Sequence, residues 1–126
     1  MRVLLAASAL LFAAAPGSAV QNRNHVPAAE PVGAAVDCIN IRQIRSTDVR
    51  DGGTIDFHMA GGKVYRNTLD SGSCPQLGFE KRFLYKTTGS QLCAIDTIRV
   101  LTDPGLTQGA SCGLGQFQPV KLTKAH

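Results

Sequence analysis

The sequence has no tryptophan and few other large aromatic side chains. Beyond residue 19 the large rings are Phe57, Tyr65, Phe79, Phe83, Tyr85 and Phe117. A hydrophobic core with so few rings is thin, and small domains of this kind are commonly stabilised by covalent cross-links. The composition therefore makes the cysteines the candidates for such cross-links.

Long apolar runs are also scarce, and the single one is N-terminal. Val3–Ala15 is an uncharged run of 13 residues that follows Arg2 and precedes Pro16-Gly17-Ser18-Ala19. This order of charge, apolar run and small residues is typical of a secretory signal peptide. A membrane-spanning helix needs about 20 apolar residues, so we expect cleavage after Ala19 and no stable membrane insertion afterwards. The expected location is the periplasm or the medium.

The cysteines lack the close spacing of a metal site. Cys38, Cys74, Cys93 and Cys112 are separated by 35, 18 and 18 residues, with no Cys-x-x-Cys pair. Metal sites usually take their ligands in such pairs, so we expect no metal and no other cofactor. An even number of cysteines in a short exported chain indicates two disulfides.

The remaining 107 of the 126 residues have the length of one domain. Residues 20–36 are rich in proline and alanine and lack periodicity, which predicts a disordered tether. The domain is expected over residues 37–120, and residues 121–126 are expected to be a frayed tail.

Within the domain, short runs of β type alternate with glycine-rich turns. The predicted strands are Ile44–Val49, Thr54–Met59, Lys63–Leu69, Arg82–Thr87, Thr97–Leu101 and Gln116–Val120. Five or six such strands make a small all-β antiparallel barrel or sandwich stapled by two disulfides. No segment shows helical periodicity.

The clearest alternation lies in Thr54–Met59, where Ile55 and Phe57 share the inward face. A three-residue loop with Gly62 left-handed would place Phe57 opposite Tyr65, whereas a Gly-Gly turn would separate the two rings. We predict the first register. It turns Asn67 inward, where its amide must find hydrogen-bond partners.

The strand order also predicts which cysteines pair. If consecutive strands are antiparallel, Cys38 and Cys93 lie at the end with the Gly61-Gly62 turn, and Cys74 and Cys112 lie at the other. Disulfides require Cα atoms within about 7 Å, less than the length of about 17 Å of a five-residue strand. We therefore predict Cys38–Cys93 and Cys74–Cys112, provided that 71–81 stays at one end.

Residues for catalysis are sparse. His58 is the only histidine inside the domain and shares a strand face with Asp56, and Asp96 follows Cys93 closely. There is no Gly-x-Ser-x-Gly motif, and most other aspartates precede turn residues, where they cap the backbone. Gly105–Gly115 lacks the strand and helix that flank a phosphate loop, so we expect a tight loop held by a disulfide.

A group of segments carries a family resemblance. They include Cys38-Ile39, Gly62-Lys63-Val64-Tyr65-Arg66-Asn67, Cys74-Pro75, Leu92-Cys93 and Cys112-Gly113-Leu114-Gly115. Together they resemble a family of small exported proteobacterial proteins with four cysteines, described only as a domain of unknown function. The resemblance covers roughly residues 37–120 and implies export in a Gram-negative cell and two disulfides. It supplies no activity, so it assigns no catalytic or binding residue.

The net charge of the chain bears on the expected partner and function. Loss of Arg2 lowers the net charge from +4 to +3, which favours an anionic envelope component or another protein as partner. Export and the missing aromatic pattern of RNA-binding modules exclude nucleic acid. We expect a non-enzymatic binding module of the envelope or periplasm. The alternatives are a small periplasmic hydrolase using Asp56, His58 or Asp96, and a structural accessory protein without a small-molecule site.

Overall fold

The computed structural model describes residues 25–70, 72–87 and 89–123. The predicted signal peptide, residues 1–19, lies outside them. The strands are β1 (Ala29–Pro31), β2 (Cys38–Asn40), β3 (Ile44–Asp51), β4 (Thr54–Met59), β5 (Val64–Thr68), β6 (Phe83–Tyr85), β7 (Gln91–Cys93), β8 (Thr97–Thr102), β9 (Thr107–Gly113) and β10 (Phe117–Leu122), and the helix is α1 (Pro75–Glu80).

The strands form three antiparallel sheets. The large sheet has the order β1-β10-β5-β4-β3, a second sheet has the order β6-β8-β9, and β2 pairs with β7. None of these sheets closes into a barrel within the described part of the chain. The predicted all-β antiparallel fold is confirmed in its sandwich form, and the described residues contain ten strands where five or six were predicted.

One hydrophobic core lies between the large sheet and the other elements. Phe57 of β4 contacts Phe117 of β10 and Phe83 of β6 edge to face, with ring centroids 5.4 and 6.3 Å apart. Ile98 from β8 and Leu77 from α1 complete the far side of the same cluster. The inward face predicted for β4 is thus confirmed.

The β4–β5 hairpin has the predicted register. Phe57 lies opposite Tyr65, and the Met59 N–H donates to the Lys63 carbonyl at 2.7 Å. Gly61 and Gly62 have φ angles of 84° and 83°, a conformation that side chains with a Cβ rarely adopt.

Both predicted disulfides are present. Cys38–Cys93 joins β2 to β7, where the two residues are direct cross-strand partners. Cys74–Cys112 joins the residue before α1 to β9. The condition on the connection 71–81 is also met, because it folds into α1 at one end of the sheet instead of crossing the sandwich.

Several short elements differ from the expectation. The tether prediction is wrong for Ala29–Pro31, which pairs with β10, and the tail prediction is wrong for Lys121 and Leu122, which extend β10. The segment expected as a tight loop contains β9. In each case backbone hydrogen bonds to a neighbouring strand fix the conformation. Such bonds form without an alternation of apolar and polar side chains, so the sequence pattern did not predict them.

Helix α1 is also absent from the sequence expectation, because six residues are too few to show a helical period. It protects two exposed sheet edges. The Gln76 side chain accepts a hydrogen bond from the Ala110 N–H of β9 at 2.6 Å, and the Lys81 Nζ donates to the Arg50 carbonyl of β3 at 2.9 Å. Unpaired edges promote association between chains, and side chains that bind them reduce this tendency.

Asn67 finds the partners that its inward position requires. Its amide nitrogen donates to the Gly115 carbonyl at 2.7 Å, and its amide oxygen accepts from the Gly115 N–H at 2.9 Å. Asn67 is fully buried, so both polar groups depend on this pairing. A Cβ at residue 115 would collide with the Thr68 carbonyl, so glycine is required there.

We predict that Asn67→Ala lowers the free energy of unfolding by about 2–4 kcal/mol, because it leaves two backbone groups of Gly115 unsatisfied. Chemical denaturation of the oxidised protein measures the loss. Gln116→Ala, which removes an exposed hydrogen bond to Asp37, should cost less than about 0.5 kcal/mol. Equal losses in the two variants would contradict the role given to Asn67.

Candidate functional site

The face of the large sheet that is turned away from the core carries most of the polar side chains. We call it the outer face. Cross-strand partners lie on the same face of a sheet, so the register defines three rows across it. The rows are Thr54 with Thr68, then Asp48 with Asp56 and Arg66, then Ser46 with His58, Val64 and Val120.

Asp56 occupies the centre of this face and is fully buried. Arg66 donates two hydrogen bonds to its carboxylate, at 2.8 and 3.0 Å, and Arg50 donates a third at 2.9 Å. The two arginine side chains keep only 15% and 21% of their surface exposed. The alternation placed Asp56 correctly on the face opposite Ile55, and the two arginines cover it there.

The arginines also determine the ionisation of this group. Burial by itself would raise the pKa of the Asp56 carboxyl, but hydrogen bonds and positive charge from Arg66 and Arg50 outweigh burial and hold the pKa below its usual value. The carboxylate therefore stays ionised and fully engaged. A group in this state is a poor general acid or base near neutral pH.

His58 belongs to a separate hydrogen-bond pair. Its Nε2 lies 2.7 Å from Oδ2 of Asp48, and the same oxygen lies 3.5 Å from Arg50. Ser46 is the cross-strand partner of His58, but no hydrogen bond between their side chains is found. A nucleophile needs its base within hydrogen-bond reach, and within the described ranges this pair lacks one.

Asp96 serves a turn in another part of the fold. Its Oδ2 accepts a hydrogen bond from the Cys93 N–H at 2.7 Å, which fixes the turn between β7 and β8. Asp56, His58 and Asp96 thus belong to three separate hydrogen-bond systems. The arrangement does not bring them together as a catalytic group.

Unpaired positive charge collects at one end of the large sheet. Lys63 follows the Gly61-Gly62 turn, and Lys121 follows Val120, which is the partner of Val64. Arg45 lies next to Ile44, the partner of Met59, and Arg42 precedes it. We call Arg42, Arg45, Lys63 and Lys121 the basic end. All four are exposed.

A groove of about 560 Å³ opens at this end. Lys63 and Lys121 border it together with His58, and Val64 and Val120 contribute to its floor. Neither lysine forms an ion pair with a carboxylate among the described residues, although Glu30 lies opposite Lys121 on β1. The Lys63 Nζ lies 5.0 Å from the centroid of the Tyr65 ring, a cation–π contact that leaves the charge uncompensated.

Three further arginines on the described surface are neutralised. Arg50 and Arg66 bind Asp56, and Arg82 forms ion pairs with Glu80 and Asp103. Lys86 and Arg99 are exposed without ion pairs, but Lys86 follows β6 and Arg99 lies on β8, so both belong to the other sheet and neither lines the groove. The groove is therefore the place where unpaired cations and a concave surface coincide.

Within residues 25–70, 72–87 and 89–123, no group of three or more His, Cys, Asp or Glu side chains could hold a metal ion. The same ranges contain no helix of the length and hydrophobicity needed to cross a membrane. A second and larger cleft, of about 750 Å³, lies beside α1.

Sequence reasoning found His58 and Asp56 but missed their partners. Asp48 received no role from the sequence, and Lys121 was assigned to the tail. Asp48 reaches His58 across the β3–β4 hairpin, 10 residues away in sequence, whereas Lys121 comes close to Lys63 because β10 pairs with β5, which is distant in sequence. The alternation of residues within one strand carries no signal for such partners.

Comparisons with protein-family models, curated proteins and solved structures find no match to this chain. The resemblance to the family of exported four-cysteine proteins therefore stays a prediction. What the molecule does must be inferred from its own geometry.

Asp56→Asn tests the ion-pair network on the outer face. We expect it to lower the free energy of unfolding near pH 7 by about 1–3 kcal/mol, less than for a fully buried pair, because both guanidinium groups reach solvent. Asp103→Asn removes the exposed pair with Arg82 and should cost less than about 0.5 kcal/mol.

The same network predicts a pH dependence. The pKa of Asp56 is lower in the folded state than its ordinary value of 3.8, so the unfolded chain binds the proton more tightly. Its stabilising effect is therefore complete well above pH 3.8 and is lost as the pH falls through the folded pKa. Between neutral and acid pH, the free energy of unfolding should fall less in Asp56→Asn than in the wild type, as measured by chemical denaturation. An equal fall in both proteins would contradict the role given to this network.

Proposed function

We propose that the protein is a non-enzymatic binding module of an exported compartment and that its basic end binds anionic groups of the cell envelope. The observation that carries the proposal is the pair of unneutralised lysines at the groove. Lys63 directly precedes β5 and Lys121 lies on the neighbouring strand β10, so both border the groove from adjacent positions.

The surroundings of the groove support an anionic ligand. The carboxylates of the outer face are occupied: Asp56 by two arginines and Asp48 by His58 and Arg50. A concave surface bordered by cations attracts anions and increases their local concentration. Two lysines side by side repel each other, and a bound anion relieves this repulsion.

Export is part of the proposal and has its own support. Two disulfides close the described domain, and such cross-links persist in oxidising compartments such as the bacterial periplasm. The N-terminal sequence adds the pattern of a signal peptide. A binding role is favoured over hydrolysis because the candidate catalytic side chains are engaged in separate structural contacts.

Charge reversal at the groove tests the proposal. The probe is a vesicle of phosphatidylglycerol in phosphatidylcholine, and co-sedimentation measures binding. Each lysine near an anionic surface contributes about 1 kcal/mol, so Lys63→Glu with Lys121→Glu should weaken binding by at least roughly 30-fold.

The matched control is Lys86→Glu with Arg99→Glu. It changes the net charge by the same amount at exposed positions outside the groove. Because charges beyond a Debye length are screened, binding should stay within about threefold of the wild type. An equal loss in both double variants would show attraction by net charge alone. Absence of wild-type binding to these vesicles would also contradict the proposal.

A further inference from the structure

The larger cleft lies at the opposite end of the large sheet from the basic end. The β3–β4 turn, the segment before α1 and the helix itself form its walls, and the Thr54–Thr68 row continues into it. Its volume of about 750 Å³ falls within the range of small-molecule sites. Nothing in the proposed anion-binding role uses it.

Backbone hydrogen bonds connect the described walls of this cleft. The Gly52 carbonyl accepts from the Cys74 N–H at 2.6 Å, and the Gly53 carbonyl accepts from the Leu69 N–H at 2.9 Å. A Cβ on Gly52 would lie 2.9 Å from the Cys74 carbonyl oxygen, so the turn packs directly on the backbone beside it. The Cys74–Cys112 disulfide anchors the same segment. A preformed site of this kind loses little conformational entropy when a ligand binds.

The polar groups of the cleft are available to a ligand. The hydroxyl groups of Thr54, Thr68 and Ser73 form no hydrogen bond with other described residues. Asp51 uses Oδ1 to accept from the Gly53 N–H at 2.8 Å, which leaves Oδ2 free. No cationic side chain lines the cleft, so it does not favour an anion.

Phe79 supplies an apolar surface at the rim. Its side chain is 79% exposed, although the other phenylalanines of the described domain lie in or against the core. An exposed ring of this size beside a cleft is typical of a binding surface rather than of a packing position.

We propose that this cleft binds a neutral oligosaccharide. Sugar hydroxyl groups both donate and accept hydrogen bonds, as do the three free hydroxyl groups of the cleft, and the free oxygen of Asp51 accepts from a sugar hydroxyl in a charge-assisted bond. The apolar C–H face of a sugar ring stacks on Phe79. An anionic ligand would meet the Asp51 charge without a compensating cation.

Amide chemical shifts of the oxidised ¹⁵N-labelled protein test this inference. The probes are the tetramer of β-1,4-linked N-acetylglucosamine and the tetramer of α-1,4-linked glucose, both neutral. Gly52, Gly53, Gly72 and Gly78 line the cleft, and their amides should shift with at least one tetramer.

Two variants remove the recognising groups without touching the core. Phe79→Ala should weaken binding by at least about tenfold, in line with the apolar surface lost, and Thr68→Val, which keeps the side-chain shape, should also weaken it. Leu106→Ala removes another exposed apolar side chain, on the β8–β9 turn, and should bind as the wild type does.

Three results would overturn the inference: no shift with either tetramer, unchanged binding in Phe79→Ala, or shifts confined to Lys63 and Lys121. Because the tetramers are uncharged, these outcomes are independent of the vesicle experiment, and failure at one site leaves the other standing.

Discussion

The ionised side chain of Asp56 joins three strands of the large sheet from their outer face. Arg50 reaches it from β3 and Arg66 from β5, so one carboxylate links the strands on both sides of β4. The burial of this charge is tolerated because each of its oxygens accepts from a guanidinium group. The centre of the outer face is thereby electrically compensated, and the two binding regions proposed above lie towards the two ends of the large sheet.

The opposite face depends on covalent and polar connections as much as on apolar burial. The core contains few rings, and the two disulfides together with the Asn67–Gly115 pairing hold its layers in register. Helix α1 follows one of these disulfides. Gln76 in the helix binds the free edge of β9, and Lys81 directly after it binds the free edge of β3. This position also makes α1 a wall of the larger cleft, so the same helix protects the sheet edges and shapes the cleft.

Features set by local pattern could be predicted from the sequence. The register of the β4–β5 hairpin followed from the pairing of two rings, and the disulfide pairs followed from strand direction. Features set by distant neighbours could not. The pairing of β1 with β10 joins segments about 90 residues apart in sequence. The burial of Asp56 requires arginines from two other strands, and the lysine pair exists only because β10 lies beside β5.

The central claim is that the neutral centre of the outer face separates an anion-binding end from a cleft that does not bind anions. Titration of the ¹⁵N-labelled oxidised protein with soluble polyphosphate, followed by amide chemical shifts, tests it most directly. The account predicts shifts at Gly61, Gly62, Lys63 and Lys121 and none at Gly52 or Gly78. Shifts centred on Lys86 and Arg99, or spread evenly over the surface, would contradict it.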